Sequence, residues 1–112
     1  MKQYTIKILP RAKRHLSDLY SYIALELQNP LSAKRQSRDI MDAIKNLASF
    51  PERCKAIGFW KGAPLRRLMV NKQAILYIIK GNFVTVTHIL YSRSNIPERL
   101  GEEFSKESSK EM

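Results

Sequence analysis

The chain has 112 residues, a length that suits one domain and is too short for two. Its hydrophobic fraction of 44% is that of an ordinary globular protein, and no apolar run approaches the ~20 residues of a membrane-spanning helix. Its 20 Lys and Arg residues outnumber its 10 Asp and Glu residues, so the formal net charge is +10 and the protein should attract polyanions.

The cysteine and histidine content bears on the compartment and on cofactors. Cys54 is the sole cysteine, which excludes an intrachain disulfide and suits the reducing cytoplasm. With only two histidines in addition, the chain lacks the ligand clusters of a structural zinc site. The N-terminus has no apolar stretch ahead of its first polar segment, so no secretory signal is predicted. We therefore expect a cytoplasmic protein that needs no metal or cofactor and does not bind a membrane.

The positive charge is concentrated in one part of the chain. Between Arg53 and Pro97 there is no Asp or Glu, and the same stretch holds eight Lys or Arg residues. Two interpretations are open, namely a solvated cationic face and a surface that binds phosphate groups.

The first half of the chain predicts a strand and two helices. Apolar and polar residues alternate over residues 4–9, which is typical of a short strand. Apolar stripes at helical spacing follow over about 11–27 and about 31–49, and each predicts an amphipathic helix. Asn29-Pro30 separates the two stripes, so the helices should form an antiparallel hairpin.

The second half predicts a loop and a meander of strands. Residues 51–64 contain two prolines and two glycines and are interpreted as a loop. Three strands are predicted after it, over residues 65–70, 73–80 and 83–91. The order β-α-α-β-β-β predicts an α+β fold, in which the αα-hairpin packs on one face of a small, mainly antiparallel four-stranded sheet.

The end of the chain differs in composition from the rest. Residues 92–100 are irregular, and Pro97 argues against a continuing strand. The tail 101–112 is rich in Glu, Lys and Ser. We expect a single domain over residues 1–100 and a flexible polar tail over 101–112.

Five motifs, taken in chain order, carry a family resemblance. They are Tyr4-x-Ile6-x-Ile8-x-Pro10-x-Ala12, Asn29-Pro30-x-x-Ala33, Phe50-Pro51-Glu52-Arg53, Arg66-Arg67-Leu68-x-Val70 and Val84-x-Val86-x-His88-Ile89-Leu90-Tyr91-x-Arg93. The ordered set resembles the RelE/ParE toxins of bacterial type II toxin–antitoxin systems. The resemblance implies an acidic or partly disordered antitoxin encoded beside the toxin, and a complex of the two that binds operator DNA. Relatives divide between ribosome-dependent mRNA nucleases and inhibitors of DNA gyrase.

The chain departs from the family pattern at three places. Gln73 stands where relatives often carry Tyr, and Arg93-Ser94-Asn95 stands where many carry Arg-Arg-Asp. After Tyr91 there is no further Tyr, His or Trp of the kind that the nuclease branch often carries close to the C-terminus.

Four residues are candidates for catalysis if the protein cleaves RNA. Attack by a 2′-hydroxyl needs a base, charge stabilisation at the phosphorus and a proton for the leaving oxygen. Arg66, Arg67 and Arg93 are the candidates for charge stabilisation, because a guanidinium can hold two phosphate oxygens and stays charged. Tyr91, at the end of the last predicted strand, is the candidate for proton transfer or for stacking on a base.

The base itself is harder to assign. Glu52 is the carboxylate nearest to the basic stretch, although a solvated residue at a helix end fits it as well. His88 has a suitable side chain. However, regular alternation puts it on the apolar face of its strand with Val84 and Val86, where a histidine is expected to be a core residue.

Nucleic-acid binding is predicted for the loop that precedes the strand meander. Arg53, Lys55 and Lys61 would contact phosphates. Trp60 either stacks on an exposed base or fills the edge of the core.

The leading hypothesis is a toxin that blocks translation and arrests growth as a metal-independent endoribonuclease, cutting mRNA on the ribosome. The anion-free stretch motivates it. A gyrase inhibitor that binds without catalysis is the alternative, and a toxin-like binding module without activity is the third.

Overall fold

The computed structural model describes residues 3–91. Its regular elements are β1 (Thr5–Ile8), α1 (Pro10–Ser21), α2 (Pro30–Asn46), β2 (Ala56–Trp60), β3 (Ala63–Val70), β4 (Gln73–Lys80) and β5 (Phe83–Tyr91). A π-helical turn, Tyr22–Glu26, extends α1, and a 3-10 turn, Pro51–Arg53, follows α2. Arg93 and the segments 92–100 and 101–112 lie outside the described residues, so the boundary at residue 100 stays a prediction.

The five strands form one sheet in the order β1-β5-β4-β3-β2. β1 runs parallel to β5, with Thr5 opposite Phe83, and all other neighbours are antiparallel. The two helices pack on this sheet as a hairpin, and the predicted α+β class is confirmed.

The sheet has one strand more than the four that were predicted. β2 lies within residues 51–64, the segment interpreted as a loop, and pairs with β3 at the edge of the sheet. Gly62, with φ of 80°, and Lys61, with φ of 51°, form the tight turn between β2 and β3. Gly58 adjoins a shift in the pairing register. Both glycines therefore belong to the β2–β3 hairpin. In the sequence alone, two glycines in a short segment are typical of a loop.

The helix boundaries follow from proline and its neighbours. Pro10 and Pro30 occupy the first turns of α1 and α2, where a missing N–H costs no hydrogen bond. The side chain of Asn29 accepts a hydrogen bond of 3.1 Å from the backbone N–H of Ser32 and caps α2. The first stripe was predicted to be one helix to residue 27, but its α-helical part ends at Ser21.

β4 occupies the centre of the sheet and is buried on both faces. Ile75 and Tyr77 pack under the helices, in a cluster with Ile40 and Ile44 of α2. The alternate residues of β4 join a second cluster on the opposite face, which consists of Trp60, Leu65, Ala74, Leu76, Ile78 and Leu90. The apolar run of β4, typical of a strand covered on both sides, is explained by this position.

A β-bulge at Thr87 changes which face the end of β5 presents. Leu76 pairs with His88 and Tyr77 pairs with Val86, so Thr87 is the extra residue. The expected alternation therefore fails after Val86. His88 does not share the helix-side face with Val84 and Val86, but lies against Trp60 in the second cluster.

Tyr77 should make the stability of the protein depend on alkaline pH. Its buried hydroxyl donates a hydrogen bond of 2.6 Å to the carbonyl of Pro51, and burial, followed by the neighbouring Cys54, raises its pKa above 10. Stability should be complete below pH ~10 and fall as the pH rises further, because the unfolded state releases this proton first. Tyr77→Phe should reduce the alkaline slope in urea titrations and cost about 1–2 kcal/mol at pH 7.

The matched control is Tyr22→Phe, because the Tyr22 side chain is half exposed. It should keep the free energy of unfolding at pH 7. An unchanged alkaline slope in Tyr77→Phe would contradict the assignment.

Candidate functional site

The acidic residues of the described range are confined to the helical segments. In the range 3–91, every acidic residue lies in a helical segment: Asp18, Glu26, Asp39, Asp42 and Glu52. The strands and the turns that join them carry only basic charges: Lys7, Lys61, Arg66, Arg67, Lys72 and Lys80. The anion-free stretch of the sequence thus becomes a cationic sheet.

Arg66 and Arg67 are adjacent on β3 and project to opposite faces of the sheet. Arg66 is half-buried on the side of Leu68, under the helices, where its Nη1 donates to the carbonyls of Cys54, at 2.6 Å, and Glu52, at 3.2 Å. Arg67 is exposed on the side of Leu65. The two guanidiniums therefore do not form one phosphate clamp: Arg66 anchors the segment before β2, and Arg67 faces solvent.

The basic residues of the predicted nucleic-acid surface are exposed at one edge of the sheet. Arg53 and Lys55 precede β2, and Lys61 lies in the turn that follows it. The backbone N–H of Arg67 donates to the carbonyl of Lys55, at 3.3 Å, so this edge is tied to β3.

Trp60 is a core residue. Its side chain is only 5% exposed. The Lys61 ammonium lies 4.6 Å from the ring centroid, the Arg11 guanidinium lies 5.7 Å from it, and His88 meets the ring edge-on. Of the two positions that the sequence allowed, the structure places Trp60 in the core, and its part in nucleic-acid binding stays a prediction.

His88 is hydrogen-bonded at both ring nitrogens. The Arg11 guanidinium lies 3.2 Å from Nε2 and can only donate, so Nε2 accepts. The proton therefore sits on Nδ1 and is donated to Thr87 Oγ1 at 2.8 Å, and Thr87 donates to the carbonyl of Leu76. To take up a proton at Nε2, His88 would have to give up the Arg11 hydrogen bond.

His15 and Arg11, one helical turn apart on α1, were not singled out in the sequence. The Nδ1 of His15 accepts a hydrogen bond of 3.2 Å from the backbone N–H of Ile89, and its ring stacks on His88 with centroids 5.8 Å apart. Their i, i+4 spacing on one helix face was the available signal. Together they attach α1 to the bulged end of β5.

The remaining candidates lie apart from Arg67. Glu52 accepts a hydrogen bond of 3.2 Å from the Tyr4 hydroxyl. Desolvation, and then this carboxylate, raises the pKa of Tyr4. The backbone of Tyr91 ends β5 opposite Gln73, whereas Arg67 pairs with Leu76 from the other side of β4.

Residues 3–91 contain neither a cluster of metal ligands nor a membrane-spanning helix. No group of three or more His, Cys, Asp or Glu side chains within residues 3–91 could hold a metal ion. No helix in this range is both long enough and apolar enough to cross a membrane.

Comparison with known proteins assigns the family. Residues 6–96 match the family model of the ParE toxin of type II toxin–antitoxin systems, parDE. This chain belongs to the ParE toxin family. It is therefore a type II toxin of the ParE/RelE superfamily, which confirms the resemblance seen in the motifs. No curated protein matches the sequence.

Solved structures agree with this assignment at the level of the fold. The chain is similar to one in the chromosomal ParDE TA system from P. aeruginosa, with a TM-score of 0.64, 20% identity, and coverage of 80% of this chain and 96% of that one. It is also similar to one in the toxin–antitoxin complex RelBE2 from Mycobacterium tuberculosis, with a TM-score of 0.53, 18% identity, and coverage of 81% and 93%.

The two neighbouring arginines of β3 should behave differently when each is replaced by methionine. Arg66→Met removes two hydrogen bonds to the segment before β2 and should cost about 1–2 kcal/mol of unfolding free energy. Arg67→Met removes an exposed cation and should change stability by less than about 0.5 kcal/mol. Urea denaturation measures both, and equal losses would contradict the assigned roles.

Proposed function

We propose that this toxin acts as a binding inhibitor of DNA gyrase and not as a nuclease. The observation that carries the proposal is the hydrogen bonding of His88, which lies across β4 from Arg67 because both residues pair with Leu76. Both of its ring nitrogens are engaged, Nε2 by a cation and Nδ1 by Thr87. A histidine in this state is suited to holding α1 on β5 and unsuited to accepting a proton from a 2′-hydroxyl. The match to the ParE model supports the same choice.

The cationic sheet supplies the means of binding. Arg67 and Lys61 are exposed, and no acidic residue of the described strands neutralises them. Such a surface favours contact with an acidic protein surface or with DNA held by an enzyme, and it accelerates the encounter.

We also propose an antitoxin partner in the cytoplasm. The two structures similar to this chain are described as a ParDE TA system and a RelBE2 toxin–antitoxin complex. A chain of net charge +10 is complementary to an acidic or partly disordered segment that folds over it. The pair would then bind its own operator DNA.

Ribosome-dependent mRNA cleavage is the second candidate. It is favoured by the exposure of Arg67 on a sheet whose described strands carry no carboxylate, where a guanidinium could stabilise charge on phosphate. In this case Arg67, Tyr91 and Arg93 would contribute to catalysis and Arg66 would position the segment before β2. An inactive, toxin-like binding module is the third candidate. It would inhibit neither DNA supercoiling nor translation.

Supercoiling by purified gyrase, without ribosomes, tests the first candidate. The wild-type toxin should inhibit supercoiling. Arg67→Gln should need roughly tenfold more protein, as expected for the loss of a charged contact worth ~1.4 kcal/mol. Lys34→Gln is the matched control, because Lys34 is an equally exposed cation on α2 and its loss changes the net charge by the same amount. It should inhibit like the wild type.

Cell-free translation, followed by mapping of mRNA 5′ ends, separates the candidates. Normal supercoiling at saturating toxin would contradict gyrase inhibition. New, ribosome-dependent 5′ ends that disappear in Arg67→Gln would establish cleavage. Normal supercoiling together with normal translation would support the third candidate, the inactive binding module.

A further inference from the structure

A groove of about 430 Å³ lies between the helical hairpin and the turn that joins β3 to β4. One wall is apolar and consists of Leu19, Tyr22, Ile23 and Leu27. Arg35 of α2 and Lys72 of the turn, both exposed, also line the groove. Among residues 3–91, those that line it include these two cations and no acidic residue, so the groove combines apolar surface with positive charge.

Gln73 lines the same groove and has an unused hydrogen-bonding atom. The side chain is fully buried, and its Nε2 donates to the Oε1 of Gln36, at 3.1 Å. Its own Oε1 has no partner among the described residues. A buried carbonyl oxygen without a donor is costly, since it has lost its water without gaining a replacement. A ligand that brings an N–H or O–H into the groove would remove this cost.

The hairpin turn beside the groove exposes large apolar side chains. Leu25 is 74% exposed and Leu31 is 79% exposed, and they flank the half-exposed Leu27. With Tyr22, four such residues fall within ten positions of the chain. An exposed apolar patch of this kind, continuous with a groove, is typical of a surface that a partner covers.

Charge identifies the kind of partner. Asp39, the acidic residue beside the groove, accepts a hydrogen bond of 3.3 Å from Asn71. The two cations that line the groove, Arg35 and Lys72, outnumber this one carboxylate, within a chain whose net charge is +10. A segment with carboxylates beside apolar side chains complements this surface better than a second copy of this basic chain does.

We propose that this groove holds an acidic, amphipathic segment of the antitoxin and that Gln73 determines which antitoxin fits. The segment places an apolar side chain against Tyr22 and Leu27 and carboxylates near Arg35 and Lys72. It also supplies a hydrogen-bond donor to Gln73 Oε1. An antitoxin without that donor would leave a buried acceptor unpaired, and this is a strong basis for discrimination. The inference rests on the antitoxin partnership proposed above.

Titration calorimetry of the full-length toxin with its purified full-length antitoxin as the probe tests this proposal. Gln73→Leu and Leu27→Ser should each weaken binding about tenfold, the loss expected for one hydrogen bond or one apolar contact. Lys72→Gln should weaken it about threefold or more at low salt. Lys34→Gln, an exposed cation of α2 outside the groove, is the matched control and should bind like the wild type.

Urea denaturation of each free variant separates a folding defect from a binding defect, and Leu27→Ser changes an exposed position that the core does not need. Wild-type affinity in both Gln73→Leu and Leu27→Ser would overturn the proposal.

Hydrogen exchange of the backbone amides around Gln36 and Gln73, with and without antitoxin, identifies the occupant. Protection that appears only with antitoxin is the expected result. Equal protection in the free monomer would assign the groove to another part of this chain, and a dimer abolished by Leu27→Ser would assign it to a second copy; either outcome overturns the proposal. Neither experiment contains gyrase or ribosomes, so failure here is distinct from failure of the proposed target.

Discussion

The burial of β4 on both faces is the constraint on which the rest of the structure depends. Ile75 and Tyr77 lie under the helices, while Ala74, Leu76 and Ile78 form the centre of the opposite cluster. A strand in this position has no solvated face, so its alternate residues must fit two different clusters, one on each side of the sheet. The hydroxyl of Tyr77 extends the constraint beyond the sheet, since its hydrogen bond to Pro51 fixes the segment that leads from α2 to β2.

Strand alternation directs neighbouring basic side chains to different surroundings. On β3 it directs Arg66 to carbonyls of the chain itself and Arg67 to solvent. On β5 the bulge at Thr87 turns His88 away from the helix-side core and into hydrogen bonds with Arg11 and Thr87. Arginine and histidine side chains that the sequence does not distinguish thus have different surroundings in the structure. Only the exposed side chains are available to a partner.

The sequence predicted those features that have a local cause. Asn29-Pro30 marked the break between the two helices, Phe50-Pro51 marked the end of the helical hairpin, and the apolar run of β4 marked the central strand. β2 was not predicted, because its residues form a strand only by pairing with β3. The glycines of this segment are typical of a loop. The bulge at Thr87 has no local signature, so the orientation of His88 was wrong. The burial of Trp60 depends on Arg11 and His88, which lie far away in the sequence.

The sequence predicted which residue types belong to the candidate site, but not how they are arranged in space. The anion-free stretch correctly marked the cationic sheet, but the opposite directions of Arg66 and Arg67 follow from the register of β3, which charge patterning does not contain. The groove beside Gln73 is assembled from α1, α2 and the turn before β4, so no single motif could indicate it.

The parallel pairing of β1 with β5 bears on when the protein becomes a toxin. Residues 5–8 find their partners only at residues 83–86. Contacts so distant in the chain carry a high entropic cost of loop closure and form late in folding. While the chain is being synthesised, the first strand leaves the ribosome long before its partner exists. The complete sheet arises only after residues 83–86 have been synthesised, and the folded surface does not exist in the cell until then.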